Sequence, residues 1–181
     1  MSMQRPENPD GWLLPGAKRD TQSVERDLRQ AIPQKIDGVY LRTFTAIVTG
    51  YGRLAEVLRS EWLGQNKTVD QIFVSNLAPG NVTAWHAHQT ATDRLFIVSG
   101  AARVVLYDAR AKSPTKGIVQ EFSLTGEESG LLVIPPKIWH GVKNVGADCA
   151  IVLNAVDEGY RYESPDHWRV PPDSNAIPYR F

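Results

Sequence analysis

The chain has 181 residues, enough for one domain with a substantial core. Its 20 basic and 20 acidic residues cancel, so bulk charge leaves no footprint for nucleic acid or a membrane surface. The lone Cys149 excludes an internal disulfide, and no apolar run approaches the ~18 residues of a membrane span or the pattern of a signal peptide. A cytoplasmic protein is expected. Cys149 opens the apolar run to Leu153 and is expected to be buried.

Residues 1–37 read as an N-terminal arm with a short helix. Val24, Leu28 and Ile32 recur every four residues, Thr21 or Ser23 can cap the start, and Pro33 stops it. From Gly38 the pattern changes to short β-branched and aromatic runs: Val39–Val48, Gln71–Leu77, Arg94–Val98, Ala102–Tyr107, Ile118–Leu124, Gly130–Ile134 and Ala150–Asn154. Turn residues separate them, including Pro79-Gly80, Ser99-Gly100 and Pro135-Pro136, and no βαβ rhythm appears. Gly52–Trp62 suits either a short helix or a strand. The three divisions expected are an arm over 1–37, a barrel over 38–156 and a tail over 157–181 that wraps it.

His86-Ala-His88 on a strand turns both imidazoles to one face, because side chains alternate with period two. Asp93 follows within reach of the same face on the next strand, and His140 arrives from a later one. Three imidazoles and one carboxylate suit a divalent first-row metal such as Fe, Mn, Ni, Zn or Cu. These stretches resemble the two cupin motifs. Gly80, His86, His88 and Gly100 match the first, with Asp93 where glutamate is usual. Pro135, His140 and Asn144 match the second, with Lys137 in place of glycine. The resemblance implies an all-β double-stranded β-helix, a cupin or jelly-roll barrel, here with the short N-terminal helix added.

The chain also resembles the dTDP-4-dehydrorhamnose 3,5-epimerase family of cupin-fold enzymes. The markers are Gly52-Arg-Leu-Ala-Glu56-Val-Leu-Arg59, Gln71 with Ser75, Pro79-Gly80, Trp85-His86, Asp108-Ala-Arg110 with Ser113-Pro-Thr115 and Gly117, and Ile177-Pro178-Tyr179. Such enzymes remove a proton beside a sugar's keto group, stabilise the enolate with a cation, and return a proton from the other face. The resemblance implies His86 as the base, Asp173 orienting it and Arg94 as the cation, with no cofactor. Glu56 and Gln71 fall on substrate-binding positions, and Arg59 and Lys137 are added as candidates for the same work.

The sequence departs from the family elsewhere. Tyr51 and Thr83 replace two phosphate-binding arginines, Leu54 a stacking phenylalanine, and Phe73 an asparagine. The proton-returning tyrosine is missing near Leu153-Asn154, leaving Tyr160 or Tyr162 if their loop folds inward. Trp85 and Trp139 precede motif histidines and should face away from the site. His167, in the polar tail, reads as a surface or subunit-contact residue.

Three functions remain open: a keto-sugar epimerase acting on a sugar or nucleotide-sugar; a metal-dependent cupin enzyme using His86, His88, Asp93 and His140; and a non-catalytic sugar-binding cupin. A homodimer is expected in each case.

Overall fold

A computed structural model describes residues 36–43, 46–63, 68–128 and 130–181. The chain divides into two units, 1–33 and 34–181, and the first lies wholly outside the described residues. The second unit holds β1 (Tyr40–Thr43), β2 (Ile47–Thr49), β3 (Gly52–Leu54), β4 (Gln71–Leu77), β5 (His86–Ala87) and β6 (Asp93–Ser99). There follow β7 (Ala101–Asp108), β8 (Val119–Thr125), β9 (Gly130–Ile134), β10 (Ile138–Asn144), β11 (Ala150–Val156) and β12 (Trp168–Arg169).

Two five-stranded sheets carry the fold, in the orders β1-β9-β6-β11-β4 and β12-β5-β10-β7-β8, while β2 and β3 form a separate hairpin. All the pairings are antiparallel. Sequence neighbours often lie in opposite sheets, as in a jelly roll, which removes most exposed edges.

Strand β8 shows the simple alternation of a sheet with one wet face: Gln120, Phe122 and Leu124 are buried, Glu121 and Ser123 exposed. Strand β9 is buried throughout, as are the first five residues of β6. The cause is cover on both sides. Phe96, Leu131 and Val133 pack outward against Val57 and Leu58, while Asp93 and Leu95 look into a cavity between the sheets. The outer face of the second sheet is covered by the chain's end: Trp85 and Val105 pack with Ile177, Tyr179 and Phe181.

Asp108 fastens the long loop after β7. It accepts hydrogen bonds from Arg110 Nε (2.9 Å), Ser113 Oγ (2.6 Å) and Thr115 Oγ1 (2.7 Å). Burial alone would raise this carboxyl's pKa, but those donors outweigh burial and hold it well below the usual carboxylate range. Arg110 also donates to the Asp37 carbonyl at 2.8 Å, so the loop is tied to the segment entering β1.

Some expectations need correction. The fold class is all-β without the helix: the described residues form sheets and one 3-10 turn, Ser60–Trp62, and contain no α-helix. Residues 21–32, where the helix is expected, lie outside the described residues. The run 39–48 divides into β1 and β2, which join different sheets, and 52–62 is a short strand, an irregular stretch and the 3-10 turn. Cys149 is exposed because it ends the turn before β11, and burial begins only at Ala150.

Candidate functional site

A cavity of about 520 Å³ opens between the two sheets. Alternation decides what enters it. From the first sheet come Gln71, Phe73, Ser75 and Leu77 of β4, Asp93 and Leu95 of β6, and Val152, Asn154 and Val156 of β11. From the second come His86, Val142 and Arg169. The segment 158–168 closes one side with Tyr160, Arg161, Asp166 and His167.

All four histidines of the chain meet here. His86 and His140 are cross-strand partners, with ring centroids 4.0 Å apart. The short strand β12 pairs with β5, Trp168 opposite Ala87 and Arg169 opposite His86, and so delivers His167 to 5.2 Å from the His86 ring and 4.9 Å from the His88 ring. His167 is therefore a site residue, not the surface residue expected. Its tail sequence carries no motif; only its residue type, next to three other histidines in space, marks it.

Two of the imidazoles have defined tautomers. His88 Nδ1 bonds the Asp166 carbonyl and His140 Nδ1 the Ile138 carbonyl at 3.0 Å. A carbonyl only accepts, so each Nδ1 carries a proton and each ring turns its Nε2 toward the interior of the site. Both Nε2 atoms face one carboxylate oxygen: Asp93 Oδ2 lies 3.5 Å from His88 Nε2 and 3.4 Å from His140 Nε2. Asp93 Oδ1 is engaged separately, accepting from Asn154 Nδ2 at 2.6 Å. Among the described residues, His140 Nε2, His86 Nδ1 and His167 Nε2 are buried without a hydrogen-bond partner.

Burial lowers the pKa of His86 well below the ordinary histidine value, helped by the neighbouring imidazoles and Arg169. It lowers that of His140 too, against the attraction of Asp93. His167 is lowered to about 4, chiefly by burial and then by Arg169.

The remaining sequence candidates fall elsewhere. Arg94 alternates away from Asp93 and outside the cavity lining; its Nη2 pairs with Asp157 Oδ2 at 3.3 Å. Asp173 is exposed, does not line the cavity and makes no described hydrogen bond to His86. Glu56 and Arg59 pair with each other at 2.8 Å outside the cavity. Gln71 lines it and accepts from the Tyr160 amide at 2.9 Å. Lys137 adopts a positive φ of 68° in the turn before β10 and lines a second, more open groove with Trp139 and Trp168. Trp85 and Trp139 face away from the histidines, as their positions imply.

Comparison with known proteins bears on this arrangement. The polysaccharide biosynthesis C-terminal domain family matches residues 49–168. The chain belongs to that family. A probable low-salt glycan biosynthesis epimerase of Haloferax volcanii is 35% identical over 67% of this chain and 79% of the relative. A dTDP sugar isomerase from Desulfovibrio desulfuricans G20 is 32% identical with a TM-score of 0.74, covering 80% of this chain and 90% of that one. The dTDP-4-dehydrorhamnose 3,5-epimerase of Bacillus anthracis str. Ames, in a structure with TDP and PPi bound, has the same fold at 20% identity and a TM-score of 0.70, covering 82% and 88%. The resemblance to the 3,5-epimerases is thus borne out, and with it a sugar epimerase-type isomerase within the polysaccharide biosynthesis C-terminal domain family. Among the described residues, no helix is long and apolar enough to cross a membrane.

Proposed function

We propose that the protein epimerises a keto-sugar carried on a nucleoside diphosphate, inverting a carbon beside the keto group without a cofactor. The observation that carries this reading is His86: it lines the sugar-sized cavity and keeps a buried ring nitrogen with no partner among the described residues. The keto group acidifies the neighbouring C–H. The proton passes to His86 and the electron pair moves into the enolate oxygen, so proton transfer between side chain and substrate suffices.

The enolate needs a fixed positive charge. Arg169 suits that work better than Arg94, since it stands opposite His86 and lines the cavity. Tyr160 lines the same cavity and is the proposed donor of the returning proton, and Gln71 contacts substrate beside it. Asp173, Glu56, Arg59 and Lys137 would serve the substrate only from outside the cavity. The nucleotide is supported by the isomerase and epimerase relatives, whose names carry dTDP sugars.

The reading includes a barrel over 38–156, a tail over 157–181 that completes the site, and a cytoplasmic homodimer. Support for a dimer is the exposed apolar set Ile47, Val48, Tyr51, Ile72 and Val74 on β2, β4 and the hairpin turn.

Incubation of the protein with a panel of nucleotide-linked 4-keto sugars in heavy water tests the activity. Deuterium entering a carbon beside the keto group supports it. Binding without exchange across the panel favours the non-catalytic sugar-binding reading.

A further inference from the structure

We propose that Asp166 is a positioning residue of the site: its carboxylate clasps the turn after β5 and so fixes the register that sets Arg169 against His86. The effect on rate rests on the epimerase reading; the effect on structure does not.

The pairing of β12 with β5 is too short to specify its own register. It places Trp168 opposite Ala87 and Arg169 opposite His86, and one further pair of backbone bonds joins Val170 and Trp85 at 3.2 and 3.0 Å. A slip of one residue would turn Arg169 away from the cavity and Trp168 toward it, because side chains alternate. Upstream, Gly159 and Tyr160 are tied through their amides to Asp70 and Gln71. Among the described residues, 161–165 make no hydrogen bond to the strands, so the register is set after them.

Asp166 is the next tie. Its Oδ1 accepts from the Gln89 amide at 2.7 Å. Its Oδ2 accepts from the Thr90 amide at 2.8 Å and the Ala91 amide at 3.4 Å, with the Thr90 hydroxyl 2.9 Å away. That hydroxyl lies equally 2.9 Å from Glu158 Oε2, and with one proton it serves one carboxylate at a time. The Asp166 carbonyl accepts from His88 Nδ1. Side chain and backbone of one residue therefore grip residues 88–91, which follow β5 directly. Hydrogen bonds to a carboxylate are about twice as strong as neutral ones. A slip would carry Asp166 about 3.3 Å along the chain, out of reach of all of them. Asp166 borders the cavity, but both of its oxygens are occupied by the turn.

Asp166→Asn in the full-length chain tests this. It keeps the size of the side chain, yet whichever way its amide turns, an NH2 group meets backbone N–H donors. Trp85 and Val170 exchange both backbone bonds, so His86 and Arg169 form the close, non-hydrogen-bonded pair beside them. Their α-protons should give a cross-strand nuclear Overhauser effect in the wild type. Asp166→Asn should abolish that signal and speed hydrogen exchange at the Gln89, Thr90 and Ala91 amides by about 10–100-fold. With a nucleotide-linked 4-keto sugar, kcat for deuterium exchange should fall by about 10–100-fold while KM changes by less than about threefold. The proposal is overturned if amide protection and the cross-strand signal survive in the variant, or if they are lost with kcat unchanged. A rise in KM with kcat retained also overturns it, since that marks a direct substrate contact. A wild type inactive on every sugar sinks the epimerase reading alone, and amide protection with the cross-strand signal still decides the clasp.

Discussion

His86 and Arg169 stand opposite each other in the β5–β12 pair, and both side chains line the cavity between the sheets. A two-residue strand far along the chain therefore sets the cation beside the base. Arg169→Gln is expected to lower the rate of deuterium exchange by about 10²–10³-fold, the usual cost of losing one donor to a developing oxyanion. Retention of full activity in kcat would return the cationic role to another residue.

Arg94 should behave differently. It is buried and paired with Asp157 outside the cavity. Arg94→Ala leaves Asp157 without its cation and is expected to cost about 3–5 kcal/mol of stability, measured by urea unfolding. Arg94→Lys should restore much of that stability. A folded Arg94→Lys with exchange reduced as severely as in Arg169→Gln would contradict the structural role.

Asp108→Asn removes a buried charge that five donor groups address, the backbone amide and two guanidinium nitrogens of Arg110 and the hydroxyls of Ser113 and Thr115. The expected loss is about 2–4 kcal/mol. The pH dependence has a definite sign. The folded carboxyl lies below its unfolded value of about 3.9, so its contribution is complete above that pH and fades as pH falls below about 4. Wild-type stability should therefore fall on acidification in that range, and Asp108→Asn should fall less steeply.

Gly141 separates His140 from Val142 on β10. A Cβ there would meet the Ala84 Cβ at 2.5 Å and the Phe181 ring at 2.8 Å. Gly141→Ala is expected to destabilise by about 1–3 kcal/mol, because the outer layer must shift. Trp85, fully buried under Ile177 and Phe181, reports on the same layer. Removing residues 177–181 should expose it, seen as a red shift of tryptophan fluorescence and a fall in thermal midpoint.

Local periodicity makes several parts of the fold readable. Strands β4, β7, β8, β9 and β11 show either alternation or short apolar runs between turn residues. The His86-x-His88 pair, Asp93 and His140 are legible for the same reason, since spacing fixes the face and the motif order fixes the strands. What escapes is decided by pairing over long sequence separations. β12 is two residues long, and nothing local distinguishes Trp168–Arg169 from the polar tail around it. Only its pairing with β5 brings His167 and Arg169 into the site. Arg94 misleads for the converse reason: adjacent to Asp93, it must point the other way on the same strand. Cys149 borders an apolar run whose burial begins one residue later.

Hydrogen exchange at the sugar carbon tests His86 most directly. Wild type and His86→Asn are incubated in heavy water with a nucleotide-linked 4-keto sugar, and the C–H signals beside the keto group are followed by proton NMR. Wild-type protein should erase at least one of those signals, and His86→Asn, folded by circular dichroism, should slow the loss by about 10²–10⁴-fold. Equal exchange in the two proteins would contradict His86 as the base.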